Sequence, residues 1–272
     1  MVDIMEQYKL LMLIPITLSV FSLMVIANNI ITTGSFIAKD VELTGGLQIS
    51  IITNEIDINK IQTALPDAFI RYAGNTLIIQ TQKTDEKEVI TNLKDIVVFD
   101  EKDISVGKVE PVIGEIFWKQ AQLAIILAFL FMGLVVFVLF RKIVPSSIVI
   151  LTAVTDITIT VAVISLFDIR LSLPIFAGLL MIIGYSVDTD ILLTTRLLKK
   201  SGEINEKIKS ATKTGLTMTG TTLVVLMSLY LFSQGTAIQQ IAVVLIIGLT
   251  ADIINTWILN TGLLRLWLER KR

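Results

Sequence analysis

The string Gly184-Tyr185-Ser186-Val187-Asp188-Thr189-Asp190 lies inside an apolar stretch, residues 173–195, that is long enough to cross a bilayer. Such a stretch ordinarily carries no charge. A charged side chain at mid-bilayer costs roughly 2.5–3.5 kcal/mol on insertion scales, so a span that keeps two acids points to a use for them. On a helix, Asp188 and Asp190 point about 200° apart, so at most one faces lipid comfortably and at least one looks into a helix bundle.

Composition agrees with a membrane setting. The 272 residues are 53% hydrophobic and 17% charged, with a mean hydropathy of +0.77, outside the range of soluble domains. Five further apolar segments accompany the first, so six transmembrane helices are predicted, at about residues 10–28, 116–140, 146–167, 173–195, 216–232 and 237–264. The first is read as a retained anchor within residues 1–31, because Asp3 and Glu6 precede it and its apolar run is too long for a secretory signal. Cysteine and histidine are both absent, which excludes disulfides, thiolate chemistry, imidazole catalysis and histidine metal sites. We expect no enzyme activity, no metal, no cofactor and no nucleic-acid partner; Gly107-Lys108 lacks the rest of a phosphate-binding loop.

Charge placement sets the orientation. With the N-terminus inside, the cytoplasmic segments hold Lys9, Arg141, Lys142, Arg196, Lys199, Lys200, Lys207, Lys209, Lys213, Arg265, Arg270, Lys271 and Arg272, whereas the short outer loops hold only Arg170. Both termini are therefore expected in the cytoplasm of a multi-pass protein of the cytoplasmic membrane.

Residues 32–115 then form an extracytoplasmic domain, which carries 14 of the 24 acidic residues. A strand is predicted from Val41 to Ile51 with a bulge at Gly45-Gly46. A helix follows from Asp57, its N-cap, to Leu65, stopped by Pro66, with Ile58, Ile61 and Leu65 on one face. Residues 68–72 and 76–81 read as a hairpin across Gly74-Asn75. Thr84 is the predicted N-cap of a second helix, and residues 96–109 supply the last strand. That order, βαββαβ, is the ferredoxin-like α+β arrangement. Residues 116–272 hold the remaining five spans and the C-terminus.

Other polar residues fall in the spans: Asp156 near the middle of the third, Asp252 near the middle of the sixth, with Lys213 preceding the fifth. Each acid is either a proton carrier or a packing residue bonded to neighbours such as Thr152, Thr155, Thr194, Thr250 or Asn255. An aspartate held between the apolar interior and Lys213 or Arg196 can exchange a proton near neutral pH. Arg196 lies about 12 Å along the helix from Asp188, a position that also suits an interfacial anchor. Gly178, Gly184, Ser186, Gly215, Thr219, Gly220 and Gly248 suit close helix packing.

The string at 184–190, continued by Leu193-Thr194-Thr195-Arg196, resembles the signature of the SecF family, the small subunit of the SecDF protein-export complex, in its archaeal form. Thr44-Gly45-Gly46 is similar to that family's motif at the start of its outer domain, and Glu110-Pro111-Val112-Ile113-Gly114 to its segment before the second span. The resemblance runs from the first span to the last. It implies a resistance-nodulation-division architecture with a ferredoxin-like outer domain. It also implies a SecD-like partner subunit, the Sec translocon channel, unfolded polypeptide in transit, and use of the proton motive force to assist export. Bacterial members place the key fourth-span aspartate where this chain has Thr189 and the key fifth-span arginine where it has Thr214. The resemblance therefore offers Asp188, Asp190, Asp156, Asp252, Lys213 and Arg196 as proton-relay candidates, and Thr44, Gly45, Gly46, Gly184, Tyr185 and Ser186 as structural motif residues. Two other functions fit a six-span chain: an exporter of lipids or small hydrophobic molecules, and a non-transporting scaffold of a translocase.

Overall fold

The structure, a computed structural model, describes residues 8–52, 58–73, 76–83, 85–94 and 104–271. Among the described residues six helices are long and apolar enough to cross a membrane: Tyr8–Thr33, Pro111–Phe140, Ile143–Leu166, Leu173–Lys199, Ile204–Phe232 and Ala237–Arg270. They are called the first to sixth spans below. The fifth helix begins well before the apolar residues do, because the polar run from Ile204 has good helix formers and joins the apolar part without a breaker. Lys213 thus sits on this helix, where the sequence suggested a preceding loop.

A small antiparallel sheet stands between the first two spans. Its strands are β1 (Gly46–Ile52), β2 (Phe69–Ala73), β3 (Thr76–Thr81) and β4 (Ile104–Val109), in the order β2-β3-β1-β4. Ile49 lies opposite both Ile79 and Val106. Alternation then places Leu47, Ile49, Ile51, Leu77 and Ile79 on one buried face, where Ile61 and Leu65 from one side and Val89 and Leu93 of helix Glu86–Lys94 cover them. Asp85 begins that second helix by accepting from the backbone N–H groups of Lys87 and Glu88. The predicted caps Asp57 and Thr84, the turn at Gly74-Asn75 and residues 96–99 lie outside the described residues.

The predicted strand from Val41 is shorter than expected. Val41–Thr44 is one helical turn, and β1 starts only at Gly46. Two glycines with positive φ, +82° at Gly45 and +137° at Gly46, make the break. A Cβ on Gly46 would stand 2.3 Å from the Thr81 carbonyl oxygen, and one on Gly45 would stand 2.5 Å from Pro111 Cα. The motif at 44–46 and the segment at 110–114 are therefore one backbone-to-backbone joint.

That joint and a second strip tie the sheet to the bundle. Asp40 N–H donates to the Leu171 carbonyl at 2.9 Å, and Leu171 N–H donates to the Ala38 carbonyl at 2.7 Å. Leu173 N–H, at the start of the fourth span, donates to Glu42 Oε2 at 2.8 Å, a favourable place for a carboxylate. The polar face of the sheet looks toward this strip, with Gln80 Nε2 donating to Asp40 and to Gln48.

Candidate functional site

The fourth span starts with Ser172, whose hydroxyl accepts from Ile175 N–H, followed by Pro174 in its first turn. Its rotation about its own axis is set by two glycine contacts. A Cβ on Gly178 would meet Val244 at 3.2 Å, and Ile182 fills the space over Gly248 in the sixth span, 2.2 Å from where a Cβ would be. With the helix so placed, Ser186, Thr189 and Asp190 are buried while Gly184, Tyr185 and Asp188 face outward. One acid turns in and its neighbour turns out, as two residues of helix require.

Asp156, Asp190 and Asp252, from three different spans, are all fully buried, at 0% exposure. They share one polar network. Ser186 Oγ donates to Asp156 Oδ2 and Asn255 Nδ2 to Asp156 Oδ1 at 2.6 Å. Thr189 Oγ1 lies 3.1 Å from Asp252 Oδ2 and 2.8 Å from the Ser186 carbonyl. Thr256 Oγ1 stands between two acids, 2.9 Å from Asp190 Oδ1 and 2.9 Å from Asp252 Oδ1. Asn260 Nδ2 also donates to Asp190 Oδ1.

Hydrogen counting gives this network its chemistry. A threonine hydroxyl carries one proton, so Thr256 either shares it between its two carboxyl neighbours or donates to one and accepts from the other when that one is protonated. Thr189 meets the same limit between a carbonyl and Asp252. Asp190 Oδ2, Asn255 Oδ1 and Asn260 Oδ1 are buried without a hydrogen-bond donor. The cluster is short of protons rather than of acceptors, and among the described residues no cation reaches it.

The sixth span is adapted to this. Asn255–Asn260 is a π-helical segment, a local widening that often accompanies functional sites. Thr261 Oγ1 satisfies the Thr256 carbonyl across the widened turn at 3.0 Å. The extra residue lets Asn255 reach the third span while Asp252, Thr256 and Asn260 face the fourth.

The remaining candidates are elsewhere. Asp188 is exposed on the outer surface of the fourth span, and Lys213 is exposed on the fifth. Arg196, half-buried, donates to Ser210 and, at 2.9 Å, to Thr214 on the fifth span. It thus brings a positive charge beside Thr214 on the fifth span. Thr44, Gly45 and Gly46 belong to the sheet joint. Of the suggested neighbours, Asn255 bonds an acid, whereas Thr152, Thr155 and Thr250 bond backbone carbonyls of their own helices and Thr194 Oγ1 has no partner. Sequence reasoning missed Thr256 and Asn260. Their spacing from Asp252, one polar residue every fourth position, was the available signal.

A six-span bundle with a sheet domain between its first two spans and a buried carboxyl network defines a multi-pass membrane protein. The family described as "Protein export membrane protein SecD/SecF, C-terminal" matches residues 88–270. The chain is 37% identical over 274 residues to the protein-export membrane protein SecF of Pyrococcus furiosus, covering 97% of this chain and 92% of that one. It is 36% identical over 271 residues to SecF of Methanolacinia petrolearia, covering 97% and 94%. The solved structure of SecDF, a translocon-associated membrane protein from Thermus thermophilus, shares the fold, with a TM-score of 0.79 at 18% identity; the match covers 98% of this chain and 38% of that one. This chain belongs to the SecF family of protein-export membrane proteins.

Proposed function

We propose that this chain is a non-catalytic accessory subunit of the Sec translocase that, with a SecD-type partner, uses the proton motive force to assist export of unfolded polypeptides through the Sec channel. The observation that carries the reading is the Thr256 hydroxyl shared by Asp190 and Asp252. With two acids on one hydroxyl proton and Asp190 Oδ2 unmet, the network has room for a proton, and a protonated acid donates to Thr256 in return. Moving the proton from one acid to the other reverses the direction of the Thr256 hydrogen bond, and the sixth span follows through its π-helical turn. One charge crossing 100 mV supplies roughly 2.3 kcal/mol, enough for a small step and far too little to unfold a cargo domain. In this reading Asp156, Asp190 and Asp252 carry the proton, Arg196 sets the potential at the cytoplasmic end, and Asp188 and Lys213 stand outside the relay.

Residues 32–115 are read as a ferredoxin-like domain outside the cytoplasmic membrane, with both termini inside. The β2-β3-β1-β4 order with every neighbour antiparallel supports that topology, and the lysine and arginine excess at the opposite end supports the orientation. The SecD-type partner is assigned to the outward stripe of the fourth span, Met181, Gly184, Tyr185 and Asp188. Nothing lies within 4 Å of a Cβ placed on Gly184, and an aspartate left against lipid would be costly.

The test is export of a reporter in a strain that depends on this subunit. Asp190→Asn combined with Asp252→Asn should reduce export to the level of the deletion while the protein still inserts and binds its partner. Normal export by that variant would refute the relay.

A further inference from the structure

A cavity of about 470 Å³ opens where the sheet domain meets the bundle, at the end opposite the lysine-rich one. Its lining carries three cations, Lys39, Lys83 and Arg170, against one acid, Asp67. Two of the cations are seated on aromatic rings. Lys39 Nζ stands 4.0 Å over the Trp118 ring and the Arg170 guanidinium 3.9 Å over the Phe69 ring, contacts that fix a cation without neutralising it. Lys83 pairs with Glu88 at 2.9 Å, but among the described residues neither Lys39 nor Arg170 has an acid within ion-pair distance. Burial lowers the pKa of both, offset in part at Arg170 by the nearby charges of Asp168 and Asp40, as expected of cations that have lost water without a directly paired acid.

The cavity also holds unmet hydrogen-bonding groups of both kinds. Gln80 is 1% exposed; its Nε2 is used by Asp40 and Gln48, and its Oε1 has no donor. Arg170 Nε has no acceptor. A ligand that satisfies the site therefore brings negative charge for the cations and a hydroxyl for Gln80. Location narrows its origin. Lys39 follows the first span, Trp118 lies early in the second, and Arg170 is in the short link between the third and fourth, so the cavity sits at the depth of lipid headgroups.

We propose that this cavity binds an anionic, hydroxyl-bearing phosphate ester of the phosphoglycerol kind between the sheet domain and the ends of the spans. Bound there, the headgroup bridges Lys39 and Arg170 and so fixes the pose of the domain on the bundle. A membrane lipid and a dissolved glycerol phosphate share this chemistry, and the test separates them.

The full chain is placed in nanodiscs of phosphatidylcholine with a minor share of phosphatidylglycerol, extracted, and weighed intact by native mass spectrometry. The wild type should retain one phosphatidylglycerol, and Lys39→Gln with Arg170→Gln should lower that retention at least about tenfold, or roughly 1.4 kcal/mol. Lys39→Arg with Arg170→Lys should keep it, which separates loss of charge from loss of fold. Replacing Lys207, Lys209 and Lys213 by Gln should lower loosely held lipid only. Release of the retained lipid by millimolar glycerol phosphate would support the site and name a soluble anion as its occupant. Equal retention by the wild type and the Gln pair, or protection of the cavity by an acidic peptide but by neither phosphate ester, would overturn the proposal.

Discussion

The third, fourth and sixth spans are about half buried within the chain, with 56%, 56% and 50% of their most apolar windows inside, whereas the first, second and fifth reach only 17%, 11% and 17%. Both groups are long and apolar enough to cross a membrane. The difference lies in what the polar residues do. In the inner group Asp156, Ser186, Thr189, Asp190, Asp252, Asn255, Thr256 and Asn260 bond one another across helices. Hydroxyls that fold back on their own backbone occur in both groups, as Thr17, Ser19, Thr217 and Thr222 do in the outer one and Thr152, Thr155 and Thr250 in the inner one, but among the described residues only the inner group joins acids across helices. A threonine satisfied four residues back is silent toward its neighbours. One that spans two acids couples two helices.

That contrast can be broken most decisively at the acids. Asp190→Asn with Asp252→Asn should abolish subunit-dependent export, while Asp188→Asn, on the outer surface, should leave proton coupling intact and weaken only co-purification with a SecD-type partner. A relay that failed in the Asp188 variant and survived in the buried pair would invert the assignment.

Glycines sharpen the same divide. Gly248→Leu, facing Ile182, should cost about 1–3 kcal/mol by overpacking, read as thermal unfolding in detergent. Gly220→Leu on the fifth span and Gly184→Leu on the outward stripe, neither with an atom within 4 Å of a new Cβ, should stay within about 0.5 kcal/mol in the isolated chain. The Gly184 variant alone should lose partner binding. At single hydroxyls the contrast is smaller. Thr256→Val should cost about 1–3 kcal/mol by leaving carboxyl oxygens unmet, against a few tenths for Thr221→Val, whose hydroxyl bonds the Met218 carbonyl.

The smallest effect is expected at the joint. Burial raises the Glu42 carboxyl above its ordinary range, with the Leu173 N–H opposing part of that rise. Because the folded state then holds the proton to higher pH than the unfolded state, this group favours folding in acid and loses that contribution as pH rises through its raised value. The wild type should therefore lose stability relative to Glu42→Gln as pH rises above the ordinary glutamate range, measured as the difference in unfolding temperature. A difference that shrank over that rise in pH would show the backbone hydrogen bond to be stronger than the burial.

Much of this was legible in advance. The six spans follow from apolar length, β1 from alternation over residues 47–51, and β2 and β3 from the hairpin reading of residues 68–72 and 76–81. The failures were local and instructive. Residues 41–44 alternate like a strand, but two glycines in positive-φ backbone divert the chain into a helical turn. Lys213 was placed in a loop because hydropathy ends the fifth span where its apolar residues end, although the helix does not. Thr256 and Asn260 drew no notice because a lone threonine or asparagine in a span is ordinary.

The sequence by itself determined which segments are long and apolar enough to cross the membrane, where the sheet domain is inserted, and that Asp188 and Asp190 face opposite ways, since all three depend on length and periodicity along one chain. Tertiary structure decided that Asp190 is the one turned inward, that Asp156 and Asp252 meet it, and that a single hydroxyl joins two of the three. Those facts depend on the rotation of each helix about its axis. That rotation is set by glycine contacts and by a π-helical turn between residues far apart in the chain, where no local period records it.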